Sequence, residues 1–174
     1  MKQLLKKAMK GDQQAFIQLI EQNRASIVQT ASSILKNRED IEDAIQECVV
    51  TVYQKLPTLS EPRYFKTWMI RILINICCDI VRGRKRVMDF APYLNENSMQ
   101  DSSIQSDMKS DVEVVMQELQ ENDRLLLTLF YMEDLSVRQI SDMMHISENA
   151  VKLRISRSRQ KFKKIYLDKE AYCG

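Results

Sequence analysis

The sequence predicts an all-α protein of two small helical domains joined by a flexible linker, the C-terminal one containing a helix-turn-helix. Three observations predict it. Glycine and proline are scarce, with 3 of each among 174 residues, while Leu, Ile, Gln, Lys and Met abound, a composition that favours helices over strands. Apolar residues recur at helical spacing in two separate stretches. Between these stretches, over residues 87–110, the periodicity fades and Ser, Asn, Asp and Gln take over, with Lys109 the only basic residue; such a segment reads as a linker.

Each element has its own signal. Gly11-Asp12 marks a boundary, because the aspartate can cap the amides of a following helix. That helix carries Phe16, Leu19, Ile20, Ile27, Ala31, Ile34 and Leu35 and closes at Asn37. A second helix spans about 39–56, with Ile41, Ala44, Ile45, Cys48, Val52 and Leu56 on one stripe, and Pro57 prevents its continuation. A third begins near Pro62 and carries Phe65, Trp68, Met69, Ile72 and Ile76 toward a basic run at Arg82, completing a first domain over 1–86. Val112, Val115, Met116 and Leu119 open a second domain over 111–174. Leu125, Leu126, Leu129 and Phe130 continue it after a break at Glu121-Asn122-Asp123.

Composition excludes several classes of function. The cysteines Cys48, Cys77, Cys78 and Cys173 show no C-x-x-C spacing, and His145 is the lone histidine. No zinc site, disulfide framework or cofactor is expected, and the thiols should be reduced. No apolar run approaches the roughly 18–20 residues of a membrane span, and no signal-peptide pattern is present, so a cytoplasmic protein is expected. The 26 Lys and Arg nearly balance the 24 Asp and Glu, yet they are segregated. Basic residues gather at 82–86 and 152–164, and acids at 39–47. This segregation suits a protein with both an anionic and a basic partner.

The strongest local signal is SVRQISDMMHISENAVK at 136–152, which fits two short helices joined by a tight turn, Ser136 capping the first and Ser147 the second. Val137, Ile140, Met144, Ile146, Val151 and Ile155 supply the contacts between them. In the second helix a step of about 100° per residue puts Val151, Ile155, Ser158, Phe162 and Ile165 on one face. Asn149, Lys152, Leu153, Ser156, Arg157, Gln160 and Lys163 fall around the other. Such a helix can enter a DNA major groove, where its donors meet guanine acceptors or phosphates. A solvated helix in an ordinary hairpin is the plainer reading; the two caps, the turn and the clustered charge favour DNA. His145 lies in the turn, where a structural role is expected.

The segment FKTWMIRILINICCDIVRGRKR at 65–86 puts an aromatic pair on a helix that becomes basic toward its end. Aromatics near cations are used for single-stranded DNA, through stacking and phosphate attraction, but a core tryptophan gives the same pattern. Asn75, four residues beyond Arg71, is the better candidate for reading a base edge. Upstream, Asp40, Asp43 and Glu47 line one side of the second helix. No histidine, cysteine pair or glycine-rich loop accompanies them as a metal or acid-base site would require. A solvated face and a basic protein partner both fit.

Taken in order, these segments resemble the extracytoplasmic-function (ECF) sigma factors of the sigma-70 family. AMKGDQQAF at 8–16 resembles that family's start, DIEDAIQE at 40–47 its acidic polymerase-binding motif, and 65–86 its F-x-x-W…N…D…R stretch. Residues 123–162, with a V-K-x-R-x-x-R-x-R ending, resemble its promoter-binding helix-turn-helix. The resemblance implies a transcription initiation factor with no chemistry of its own, built from regions two and four. Asp40, Asp43, Gln46 and Glu47 would contact the β′ clamp helices of core RNA polymerase, whose β subunit is a further partner. Trp68, Arg71, Asn75, Arg82, Arg84, Lys85 and Arg86 would bind the melted minus-ten element, with the loop at 56–61 helping to hold a flipped base. Asn149, Lys152, Leu153, Ser156 and Arg157 would approach the minus-thirty-five element, while Arg154 and Arg159 steady phosphates. The resemblance also implies an anti-sigma factor, in this family often membrane-bound, which would hold the protein at the inner face of the membrane. The sequence departs from the family pattern at Asn149-Ala150, where many members carry Gly-Thr, and at 119–122, where many carry Leu-Pro. A conventional helix-turn-helix regulator acting without polymerase is the alternative. A recombinase-like enzyme would need a nucleophile with supporting arginines in the first domain, and none is recognisable.

Overall fold

In a computed structural model of the protein, the backbone is described over residues 2–90 and 111–173 and the side chains over 2–83 and 111–169. The described residues are helical, with no strand among them. The chain divides into two compact units, Met1–Ser102 and Ser103–Gly174.

The first unit opens with a helix that the sequence signals do not announce, α1 (Lys2–Met9), which buries Leu5 and Ala8. It closes at Gly11, whose φ of +91° favours glycine. The Gly11 N–H donates to the Ala8 carbonyl at 3.0 Å and the Asp12 N–H to the Lys7 carbonyl at 3.2 Å, a Schellman closure. Asp12 caps α2 (Gln13–Gln22) as expected, its Oδ1 accepting from the Ala15 N–H at 3.0 Å. The single helix expected to run on to Leu35 is in fact two. It breaks at Asn23 (φ −107°, ψ 6°), after which α3 (Arg24–Ile34) begins. Asn23 is buried and its Nδ2 donates to the Leu19 carbonyl at 2.8 Å, so a side-chain amide takes over from the backbone ladder at that point.

Helix α4 (Arg38–Lys55) is capped by Asn37, which accepts from the Glu39 N–H at 2.8 Å, and it ends in the 3₁₀ turn Leu56–Thr58 containing Pro57. Ile41, Ala44, Cys48, Val52 and Leu56 are buried as their spacing predicts. A second turn, Pro62–Tyr64, leads into α5 (Phe65–Phe90), against which α3 and α4 pack. The buried side of α5 is Phe65, Met69, Ile70, Leu73, Ile76 and Cys77, while Trp68 and Ile72 are only half-buried. The stripe is thus rotated from the expected one, which turns Trp68 toward solvent. Burial pushes the thiols of Cys48 and Cys77 up to about 12, which keeps them protonated and unreactive. Helix α5 continues through Phe90; the rest of the expected linker, 91–110, lies outside the described residues.

The second unit begins with α6 (Asp111–Glu118) and α7 (Glu121–Leu127). They are separated at Leu119 and Gln120 rather than at 121–123, since Glu121 and Asp123 stand in the first turn of α7, where carboxylates complement the helix N-terminus. A π-helical turn, Thr128–Met132, then leads to α8 (Val137–Met144). Ser136 and Gln139 form a full capping box, the Gln139 N–H donating to Ser136 Oγ at 3.2 Å and the Ser136 N–H to Gln139 Oε1 at 2.9 Å. His145 takes the left-handed conformation (φ 53°) that makes the turn tight. Ser147 caps α9 (Glu148–Cys173), accepting from the Ala150 N–H at 3.2 Å. Met116, Leu119 and Leu127 form a core cluster against which Phe162 and Ile165 of α9 pack.

Two polar contacts to Asp123 tie α7 to α9. Ser158 is fully buried, and its hydroxyl donates to Asp123 Oδ1 at 2.5 Å, while Lys161 Nζ lies 2.6 Å from Asp123 Oδ2. Burial alone would raise the Asp123 pKa, but hydrogen bonds from Lys161 and Ser158, with the Lys161 charge, outweigh it and hold the carboxyl below its usual range. A depressed folded-state pKa contributes stability that is present above the ordinary carboxylate pKa and is lost as pH falls through the lowered value. Asp123→Asn should therefore lower the stability of the second unit by roughly 1–2 kcal/mol at neutral pH and flatten its loss below about pH 4. Urea titrations of the full chain followed by circular dichroism test this, because the fluorescence of Trp68 reports on the first unit. An acid profile parallel to the wild type would exclude Asp123 as the titrating group.

Candidate nucleic-acid and protein interfaces

Helix α9 is built with two unlike faces. Val151, Ile155 and Ser158 are buried and Phe162 and Ile165 half-buried, whereas Asn149, Lys152, Leu153, Ser156, Arg157, Gln160 and Lys163 are all exposed. On an ideal helix the exposed set spans an arc of about 140°, with Arg154 and Arg159 at or beyond its two edges. Both of those arginines are exposed as well. Leu153 is 51% exposed near the middle of this polar face, an apolar spot among donors. Sequence reasoning missed a cleft of about 230 Å³ at the edge of the face, lined by Phe130, Tyr131, Val137, Lys152, Ile155, Ser156 and Arg159. Tyr131 is 54% exposed there, its ring edge-on to Phe130 at 4.9 Å. The π-helical turn puts Tyr131 there, and apolar periodicity carries no signal for such a turn.

In the first unit, Trp68, Arg71, Asn75 and Arg82 fall within about 60° of one another on α5. Trp68 is half-buried, its ring tilted 43° to that of Phe65 at 6.2 Å, while Arg71 and Asn75 are exposed. Phe65 is core. Arg82 is exposed and paired with Asp79 at 2.8 Å. Arg84, Lys85 and Arg86 lie outside the residues whose side chains are described. On α4, Asp40, Asp43 and Glu47 share an arc of about 60°; Asp43, Gln46 and Glu47 are exposed and Asp40 is half-buried. The acidic side thus runs along the edge of the stripe that packs on α5.

Among the described residues no group of three or more His, Cys, Asp or Glu side chains is placed to hold a metal ion, and no helix is long and apolar enough to cross a membrane.

A basic helix seated by a helix-turn-helix is a geometry that DNA-binding proteins use, and the chain also presents an acidic helix face. Comparison with known proteins makes the class specific. The family model for sigma-70 region 2 matches residues 19–87, and that for sigma-70 region 4 matches residues 110–162. The ECF RNA polymerase sigma factor SigM of Bacillus subtilis is 30% identical over 138 residues, covering 77% of this chain and 84% of the relative. SigW of the same organism, also an ECF RNA polymerase sigma factor, is 24% identical over 177 residues, covering 94% and 95%. In fold, the chain is similar to the sigma factor RpoE of Bartonella quintana, solved in complex with the anti-sigma factor NepR (TM-score 0.69, 18% identity, 86% of this chain and 95% of that one). It is similar also to CnrH, solved in complex with the cytosolic domain of CnrY (TM-score 0.65, 24% identity, 95% of each chain). The chain belongs to the ECF RNA polymerase sigma factors of the sigma-70 family.

The two faces of α9 make opposite demands on substitution. Ile155→Ala should destabilise the second unit by about 2–5 kcal/mol through loss of buried area and cavity formation. Alanine at Asn149, Lys152, Leu153 or Arg157 should change stability by no more than about 0.5 kcal/mol. Urea midpoints of the full-length variants measure the contrast, and a large loss at any exposed position would mean that it is structural.

Proposed function

We propose that the protein joins core RNA polymerase through the acidic side of α4, recognises the minus-thirty-five element through α9, and captures the melted minus-ten strand along α5. One observation carries the reading: each of these helices has its opposite side committed to a core, so the described charges Asp43, Glu47, Arg71, Arg82, Lys152 and Arg157 stand exposed on rigid supports. Asp40, Asp43, Gln46 and Glu47 supply a negative surface for the β′ clamp helices, and contacts with the β subunit belong to the same assembly. Complementary charge speeds association and fixes register more than it adds affinity.

Promoter opening needs no chemistry in this scheme, and the chain acts as an initiation factor rather than an enzyme. Trp68 offers a stacking surface, Asn75 a bidentate amide, and Arg71 with the 82–86 cations the phosphate neutralisation that a single strand requires. A base flipped into the 56–61 loop as the duplex breathes is held by binding energy alone. Upstream, Lys152 and Arg157 donate to base edges, Leu153 offers an apolar contact, and Arg154 and Arg159 grip phosphates on either side. Carrying both modules on one chain raises the effective concentration of the second once the first has engaged. An anti-sigma factor completes the proposal, supported by the RpoE relative being solved with NepR.

Run-off transcription with core bacterial RNA polymerase on a library of promoter fragments tests the whole reading. New sequence-dependent starts are expected. Starts that do not change on adding the protein, together with unaided DNA binding, would favour a conventional regulator. Replacing Asp40, Asp43 and Glu47 by Asn, Asn and Gln should reduce transcription at limiting protein by at least about tenfold, equivalent to ~1.4 kcal/mol of polymerase affinity, and full activity would return that face to solvent. Arg157→Ala should relax upstream discrimination by about 1–3 kcal/mol, measured as the spread of transcription over altered minus-thirty-five sequences.

A further inference from the structure

The first helix carries charge that no described residue of its own unit answers. Lys2, Lys6, Lys7 and Lys10 are all exposed, α1 contains no acid in its eight residues, and its buried side is Leu5 and Ala8. On an ideal helix Lys2, Lys6 and Lys10 lie within about 80° of arc. Among the described residues none of these lysines has a carboxylate within ion-pair distance, whereas Arg24, Arg38, Arg63 and Arg82 are each matched to a nearby Glu or Asp. Like charges at i and i+4 weaken a helix. Lys6 and Lys7 complement the helix C-terminus, but Lys2 stands at the opposite end, where a cation is disfavoured. Helix-dipole complementarity therefore does not account for the block.

Its position supplies the second observation. Helix α1 packs against both the Leu56–Thr58 turn, the first half of the 56–61 loop read above as holding a flipped base, and the Pro62–Tyr64 turn that follows it. In the second turn the Arg63 guanidinium lies over the Tyr64 ring at 4.7 Å, with both residues exposed. A basic helix is thus fixed to the frame of a loop that handles a single strand.

We propose that Lys2, Lys6, Lys7 and Lys10 form a phosphate-binding surface that extends the minus-ten interface, holding the sugar-phosphate backbone of the melted strand beside the 56–61 loop. The proposal rests on the sigma-factor reading. A flipped base stays captured only while its backbone stays put, and non-specific phosphate contacts supply that restraint without constraining the sequence read. Neutralised phosphates release counterions, so the contribution of these lysines should show in the salt dependence of binding.

The test uses holoenzyme assembled from core polymerase and the full chain, bound to a forked promoter fragment that carries the minus-ten element and lacks the minus-thirty-five element. The combined Lys2→Gln, Lys6→Gln, Lys7→Gln and Lys10→Gln variant should lower the slope of log affinity against log salt by about 2–3, close to 0.7 for each single-strand phosphate released. The corresponding four-arginine variant should keep the wild-type slope. An unchanged slope in the glutamine variant, or a reduced slope that arginine does not restore, would overturn the proposal. Wild-type holoenzyme that gains no promoter binding over core polymerase would overturn the sigma-factor reading itself, an outcome distinct from the first two.

Discussion

Ser158 sits at the centre of the buried face of α9, fully removed from water, and its hydroxyl reaches Asp123 on α7. An unpaired hydroxyl there would cost about 1–3 kcal/mol, and a carboxylate alone at that seam would cost more. The arrangement holds because the two polar groups answer each other and Lys161, one turn along α9, supplies the countercharge. Unlike apolar contacts, which tolerate sliding, this bond has one geometry. It fixes the rotation of α9 about its own axis, and rotation decides which residues face outward. A turn of about 100° would exchange neighbours between the buried and exposed sets, and Lys152 or Arg157 would be pressed toward the core. The exposed surface proposed to meet DNA therefore depends on a contact on the opposite side of the helix.

The same logic operates on α5 without a polar pin. Phe65, Met69, Ile70, Leu73, Ile76 and Cys77 are buried against α3 and α4, and the volume of these side chains sets the rotation that leaves Trp68 half-exposed and Arg71 and Asn75 in water. Trp68 is half-buried, its ring tilted 43° to that of Phe65 at 6.2 Å. Segregated charge follows from the same supports. The chain as a whole is nearly neutral, at +2, yet α4 carries carboxylates on one edge while α1 and α9 carry cations. A protein that must meet a basic protein surface and a polyanion can keep bulk charge low and local fields high.

How much of this was legible depended on whether the signal was local. Caps were readable because they act within three residues: Asp12, Ser136 and Ser147 each accept the backbone N–H three residues on, whereas Asn37, read only as the close of the preceding helix, also caps α4 by accepting the N–H two residues on. The faces of α9 were readable because one long helix keeps its phase, and every residue assigned to either face lies on it. Breaks were harder. Asn23 interrupts a run whose apolar spacing continues with little change on either side, so period alone could not separate α2 from α3. Helix α1 is a single amphipathic pair of turns, too short for a window of the length periodicity needs. The α5 stripe was misphased because Trp68 and Ile72 compete with Ile70 and Leu73 for the inward position, and only packing against α3 and α4 decides between them. The tie between Asp123 and Ser158 spans 35 residues, and no local rule reaches that far.

Leu153 and Ser156 show what the family resemblance could not supply. The resemblance places both near bases, yet one has no polar atom in its side chain and the other has a single hydroxyl. Leu153 is 51% exposed and flanked by Lys152, Arg157 and Asn149, so an apolar surface lies within a frame of donors. In a major groove such a frame suits a site where guanine acceptors adjoin the methyl of a thymine. Ser156 is short and exposed, and it lines the same cleft as Tyr131. On the proposed reading of this face, discrimination would rest as much on shape as on hydrogen bonds. Shape can reject a wrong base by steric exclusion without contributing much affinity for the right one.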